Sequence, residues 1–236
     1  MVNYMHENVK IKICGLKRRE DIAIVNKYLP DYVGFVFAGT KRCLTREQAG
    51  ELKSVLSPQI RSVGVFVNES SENIARMCEE GILDLVQLHG DETEEDIRRL
   101  KELTDVPVIR AVRVQGSKDI LRMADTAADY LLLDAYRANE YGGSGESFCW
   151  DYIPAAKGRL KEAGKSMPPF FLAGGLNAGN APDALKAEPY ALDISSGVET
   201  DGFKDEQKIK EFVQAVRNAG FQIADSKKHR KGEQTP

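Results

Sequence analysis

The chain has 236 residues, 42% of them hydrophobic and 29% charged, with a formal net charge of −3. That balance fits an ordinary globular protein of one large domain and excludes an intrinsically disordered one. The absence of a long basic run before the last dozen residues excludes a nucleic-acid footprint. No apolar run approaches the ~18 residues of a membrane span, and MVNYMHENVK lacks a signal peptide's apolar core, so a cytoplasmic location is expected.

Strand-like and helix-like runs alternate along the chain. Val9 to Cys14 reads as a strand, and Arg18 to Tyr28 as a helix with Ile22, Val25 and Leu29 at helical spacing. Tyr32 to Phe37 is a second strand. Thr45 caps a helix through Leu56, forming a capping box with Gln48. A third strand, Arg61 to Val67, precedes a helix capped by Ser70 or Ser71, and Asp84 to Leu88 is the fourth strand. Thr93 opens a helix to Leu103. Val106 to Val114 is the fifth strand, with a short helix from Ser117 to Ala124. Asp129 to Asp134 is the sixth, followed by a glycine-rich loop from Ala135 to Ser147 and a helix from Trp150 to Ala163. Phe148 and Trp150 are expected to anchor the far end of that loop. Pro169 to Ala173 is the seventh strand, Asn180 to Lys186 a short helix, Tyr190 to Ser195 the eighth strand, and Glu206 to Ala219 the last helix.

Eight strands alternating with eight helices imply a parallel sheet. Regular spacing and total length favour a single eight-stranded (β/α)8 barrel over residues 1–223. An open doubly wound sheet is the alternative, but at eight strands it would be larger than usual. The polar segment 224–236 is expected to be a disordered tail.

Cys14, Cys43, Cys78 and Cys149 make no CxxC pair and read as free thiols. His6, His89 and His229 have no metal-ligand spacing, so no metal site is expected. Gly142-Gly143-Ser144-Gly145 lacks the spacing of a nucleotide fingerprint. Two strand ends point to chemistry. The run Tyr130-Leu131-Leu132-Leu133 is long enough for a strand buried on both faces and ends on Asp134. Lys10-Ile11-Lys12-Ile13 ends on Cys14 and then Gly15. In a closed barrel both groups open onto the C-terminal face, where such barrels keep their active sites. Taken alone, a lone cysteine such as Cys14 is more commonly a packing thiol, and Asp134 also reads as a helix cap or turn residue, although a long loop and not a helix follows it.

The strand ends KICGL, GFVFAGTKR, VGVFVN, VQLHGDE, LLLDA, LAGGLNAGN and DISSGVETDGFKD, in that order, resemble the phosphoribosylanthranilate isomerase family of tryptophan biosynthesis. The resemblance runs from about Lys10 to Arg217. Departures are few: Ala178 stands where the family often has proline, Ser144 where it often has threonine, and Gly39-Thr40 alters the approach to Lys41-Arg42.

The resemblance implies an aldose–ketose isomerase that performs an Amadori rearrangement of a small molecule, phosphoribosylanthranilate, without a cofactor. It implies Cys14 as general base and Asp134 as general acid, the latter with its proton affinity raised by its apolar neighbours. Some lowering of the thiol by nearby positive charge would help the base. Arg42 matches the group that clamps the anthranilate carboxylate, while Gln87 and His89 are candidates to line the pocket. Arg113 is a second possible anion contact. Gly174, Gly175, Ser195, Ser196 and Gly197 are expected at the phosphate, assisted by a short helix after strand eight. A monomer or homodimer is expected. The competing readings are the histidine-pathway isomerase, against which Cys14 argues, and a barrel that binds a phosphorylated ligand without turning it over.

Overall fold

A computed structural model of the chain describes residues 9–39, 41–135 and 149–232, with side chains to Gly220. The glycine-rich loop beyond Ala135, together with Thr40 and Phe148, lies outside the described residues. The strands are β1 (Lys10–Cys14), β2 (Tyr32–Val36), β3 (Arg61–Phe66), β4 (Leu85–Leu88), β5 (Val108–Val114), β6 (Tyr130–Ala135), β7 (Phe170–Leu172) and β8 (Ala191–Ile194). All are parallel and join in sequence order, and β1 also pairs with β8 in the register Lys12↔Asp193, which closes the barrel. The helices between them are α1 (Arg19–Tyr28), α2 (Arg46–Ser54), α3 (Ser71–Glu79), α4 (Glu94–Leu103), α5 (Ser117–Leu121), α6 (Tyr152–Glu162) and α7 (Ala181–Ala184). The last, α8, runs Glu206–Gly232.

Alternation along each strand divides the core in two. Outward residues such as Ile11, Ile13, Phe35, Val86 and Leu133 pack under the helices. Inward residues such as Val63, Leu85, Ile109, Leu132 and Phe171 fill the barrel. At the N-terminal end Tyr32, Tyr130 and Tyr190 surround Phe171, with ring centroids 5.5, 5.6 and 5.5 Å from it. The Tyr32 and Tyr190 hydroxyls are 2.7 Å apart. Burial and that bond push the Tyr190 hydroxyl up to about 12. This aromatic floor leaves the C-terminal face as the side where a site can open.

Local chemistry accounts for the helix starts. Thr45 Oγ1 accepts from the Gln48 N–H at 3.2 Å, and Gln48 Oε1 accepts from the Thr45 N–H at 2.8 Å, the reciprocal cap expected from the sequence. Ser70 is the cap of α3. The departures from expectation have physical reasons too. Strand β5 begins at Val108, not Val106, because Pro107 has no N–H for the ladder, although its carbonyl still accepts from Val86 at 3.0 Å. Helix α8 continues well past Ala219, through Gly220 to Gly232, since no proline interrupts it. In place of a regular helix after β8 there is one 3-10 turn, Ser196–Val198, followed by an antiparallel hairpin of β9 (Glu199–Thr200) and β10 (Phe203–Lys204). Asp201 and Gly202 form its tip, both at positive φ, 52° and 77°, as a two-residue hairpin loop requires. Among the described residues no helix is long and apolar enough to cross a membrane.

Candidate active site

The period of β1 places Lys12 and Cys14 on the same, inward face. Cys14 ends the strand beside Gly34 of β2. A Cβ at Gly34 would lie 2.5 Å from Cys14 Sγ and 3.0 Å from its Cα, so the thiol occupies space that only glycine leaves open. Burial pushes the Cys14 thiol above its ordinary pKa. Lys12 and Lys204 pull it down and Asp193 pushes it up, and burial prevails. The positive charge expected near the thiol is therefore present, yet it does not by itself make a thiolate.

Beneath Cys14 a polar chain crosses the barrel. The fully buried Lys12 donates from Nζ to Asp193 Oδ2 at 2.6 Å and to Gln87 Oε1 at 2.9 Å. Gln87 Nε2 lies 2.7 Å from His89 Nδ1. Because the Gln87 carbonyl oxygen accepts from lysine, its amide is the donor to Nδ1, which assigns the proton of a neutral His89 to Nε2. That Nε2 faces Asp134 Oδ2 at 3.6 Å, beyond hydrogen-bond range, and has no hydrogen-bond partner among the described residues. Asp134 is 7% exposed, and its Oδ1 accepts from the Ala135 N–H at 2.8 Å.

The rim comes from loops. Arg42, after β2, lies across Gly15, and Glu199 of β9 holds it through Nε at 2.9 Å and Nη2 at 2.7 Å. Lys204 Nζ reaches the same carboxylate at 2.7 Å and the Ser195 carbonyl at 3.0 Å. Burial opposes ionisation of Glu199, but the two cations keep its pKa below the ordinary value. Lys41 is exposed, which makes it the solvated member of the Lys41-Arg42 pair. Gly174 and Gly175 follow β7 at φ of 86° and 63°, a left-handed conformation that glycine adopts without steric cost. Ser195 Oγ donates to the Cys14 carbonyl at 3.1 Å, tying the end of β8 to the end of β1.

Cys14, Asp134, Arg42, Gln87, His89, Gly174, Gly175, Ser195, Ser196 and Gly197 all line one cavity at the C-terminal end of the barrel. Gln87 belongs to its floor, bonded on both sides within the polar chain. Arg113 is not among the lining residues. Its Nη2 lies 3.4 Å from the carbonyls of His89 and Gly90 and 3.3 Å from Asp91 Oδ1, in the neighbouring depression beside α5. The sequence reading also passed over Lys12, Asp193, Glu199 and Lys204. Period two from Cys14 already puts Lys12 on the inner face, and the Asp201-Gly202 pair is a hairpin signal that would have located Glu199 and Lys204.

The family model of N-(5′-phosphoribosyl)anthranilate isomerase matches residues 11–215. The N-(5′-phosphoribosyl)anthranilate isomerase of Endomicrobium trichonymphae is 50% identical over 210 residues, covering 89% of this chain and 98% of that protein. A crystal structure of phosphoribosyl anthranilate isomerase from Thermotoga maritima superposes with a TM-score of 0.77 at 34% identity, covering 89% and 99% of the two chains. A phosphoribosyl anthranilate isomerase in complex with reduced 1-(o-carboxyphenylamino)-1-deoxyribulose 5-phosphate gives 0.74, also at 34% identity and with the same coverage.

Proposed function

The chain belongs to the N-(5′-phosphoribosyl)anthranilate isomerase family, and from that premise we propose how its own residues convert N-(5′-phosphoribosyl)anthranilate to 1-(o-carboxyphenylamino)-1-deoxyribulose 5-phosphate in tryptophan biosynthesis. The observation that carries the reading is one cavity lined by a thiol, a buried carboxyl, an oriented guanidinium and a tandem-glycine turn. Protonated Asp134 gives its proton to the furanose ring oxygen. The C1′–O bond breaks, and the anthranilate nitrogen supplies its lone pair to form a C1′ iminium. The Cys14 thiolate then removes the C2′ proton, and the C–H electrons form the C1′–C2′ double bond as nitrogen recovers its pair. Transfer of the thiol's proton to C1′ and of the enol's proton to Asp134 gives the ketone and restores both groups. Because burial disfavours the thiolate, the iminium of the bound substrate is the charge that completes its activation.

Gly174, Gly175 and Ser195 to Gly197 receive the phosphate, through backbone N–H groups that can approach an anion closely. Arg42, aimed by Glu199, receives the anthranilate carboxylate. All of these groups come from one chain, so the reading holds for a monomer or a homodimer. The direct test is loss of phosphoribosylanthranilate fluorescence on adding the purified protein, with turnover that persists in a chelator. A folded protein that binds the substrate but never consumes it would reduce the barrel to a binding module.

Two variants probe the geometry. Arg42→Ala is expected to raise KM by roughly thirtyfold, about 2 kcal/mol for a charge-assisted pair. Lys204 remains to balance Glu199, so the fold should hold. A substrate analogue without the carboxylate should show little further loss, and equal losses for both would give Arg42 another role. Gly34→Ala pushes a methyl group against Cys14 Sγ. Its kcat is expected to fall roughly 10²-fold from the displaced thiol, while circular dichroism shows the barrel intact. An unchanged kcat would show that the position of the thiol is immaterial.

A further inference from the structure

The layer of side chains beneath Cys14 carries charge where barrel interiors are ordinarily filled by branched apolar residues. Lys12 and Asp193 are 0% and 7% exposed and 2.6 Å apart. Two ions removed from water this completely add little to folding compared with apolar residues of the same volume, so the pair calls for another account. Asp193 and Gln87 engage two of the three N–H donors of Lys12 and hold its ammonium in place. Two residues on along the same face stands Cys14. We propose that Lys12 is a positioning residue for the isomerisation, its fixed ammonium stabilising the Cys14 thiolate that takes the C2′ proton. This rests on Cys14 being the base.

The charges facing Cys14 from each neighbouring element support the assignment. Asp193 of β8 disfavours the thiolate, and Lys204 of β10 favours it. Arg42, from the loop after β2, also feels the thiol's charge. Arg42 and Lys204 share the Glu199 carboxylate. Across the barrel, Asp134 of β6 and His89 of β4 act on Asp193. Lys12 is the strongest of the groups that lower the thiol, chiefly through its charge. Burial works against its own ammonium, but Asp193 and Cys14 outweigh that and keep its pKa above the ordinary lysine value.

The test is the pH dependence of Cys14 alkylation by iodoacetamide, followed on the Cys14 peptide by mass spectrometry, in the intact protein. In Lys12→Met the midpoint is expected to rise by about 1 pH unit or more, which below the midpoint is a roughly tenfold loss of reactivity. In parallel kcat should fall, with KM much less affected. In Asp193→Asn the midpoint is expected to move the other way. A pair that only supports the fold would destabilise in both variants without moving the midpoint in opposite directions, and Asp193→Asn keeps the test open if Lys12→Met fails to fold. Unmoved midpoints in folded variants, with Cys14→Ala inactive, overturn the role of Lys12 and leave the base in place. A fully active Cys14→Ala overturns both.

Discussion

Cys14→Ala is expected to lose turnover by about 10²–10⁴-fold, the range in which a positioned general base contributes. The reaction cannot pass the iminium without an acceptor for the C2′ proton, and alanine offers none. KM should change little, because in the proposed reading the substrate's two anionic ends are received elsewhere, at Arg42 and at the turns after β7 and β8. Stability should also change little. The substitution removes one sulfur from a partly buried position and leaves the Lys12–Asp193 pair intact. Fluorescence-monitored consumption of phosphoribosylanthranilate at saturating substrate measures the loss. Activity near that of the unmodified chain would place the base at another residue.

Asp134→Asn is expected to produce a loss of the same order for a different reason. The amide keeps the size and the hydrogen bond to the Ala135 N–H, but it carries no acidic proton for the ring oxygen. The variant should therefore bind a reduced product analogue about as well as the unmodified chain while failing to open the ring. Titration calorimetry with that analogue, set beside kcat, separates the two. Loss of binding in proportion to loss of kcat would make Asp134 a ligand-holding group instead of the acid.

Much of this was legible from the chain, and the reasons are local. Short β-rich runs such as Tyr32 to Val36 and Leu131 to Leu133 are buried on both faces, and helix starts such as that at Thr45 carry their own caps, so period and capping identify such elements without knowledge of the whole. Cys14 and Asp134 stood out as candidates because each lies at the C-terminal end of a β-rich run, on the face where such a barrel opens its site. The polar chain Lys12–Gln87–His89 was passed over: period two from Cys14 puts Lys12 on the inner face, but its partners Gln87 and Asp193 stand 75 and 181 residues away in sequence, and only closure of the barrel brings them together. Arg42 was named from the sequence and lines the cavity, but its orientation depends on Glu199, 157 residues away in sequence. Arg113 lies at the correct strand end, yet it turns to the carbonyls of His89 and Gly90 and to Asp91. Strand position alone does not decide where so long a side chain finds its partners.

The pH profile of kcat/KM in Cys14→Asp tests the central assignment most directly. Thiolate and protonated carboxyl must be present together, so each limb of the profile belongs to the pair, and either group can titrate first. Whichever does, exchanging a thiol pushed up by burial for a carboxyl, with reference values of ~8.5 and ~3.9, lowers one of the two apparent pKa values. The account predicts that Cys14→Asp retains measurable activity and that its optimum moves to lower pH. An active Cys14→Asp with the optimum of the unmodified protein would contradict it, for residue 14 would then not be the group whose proton moves.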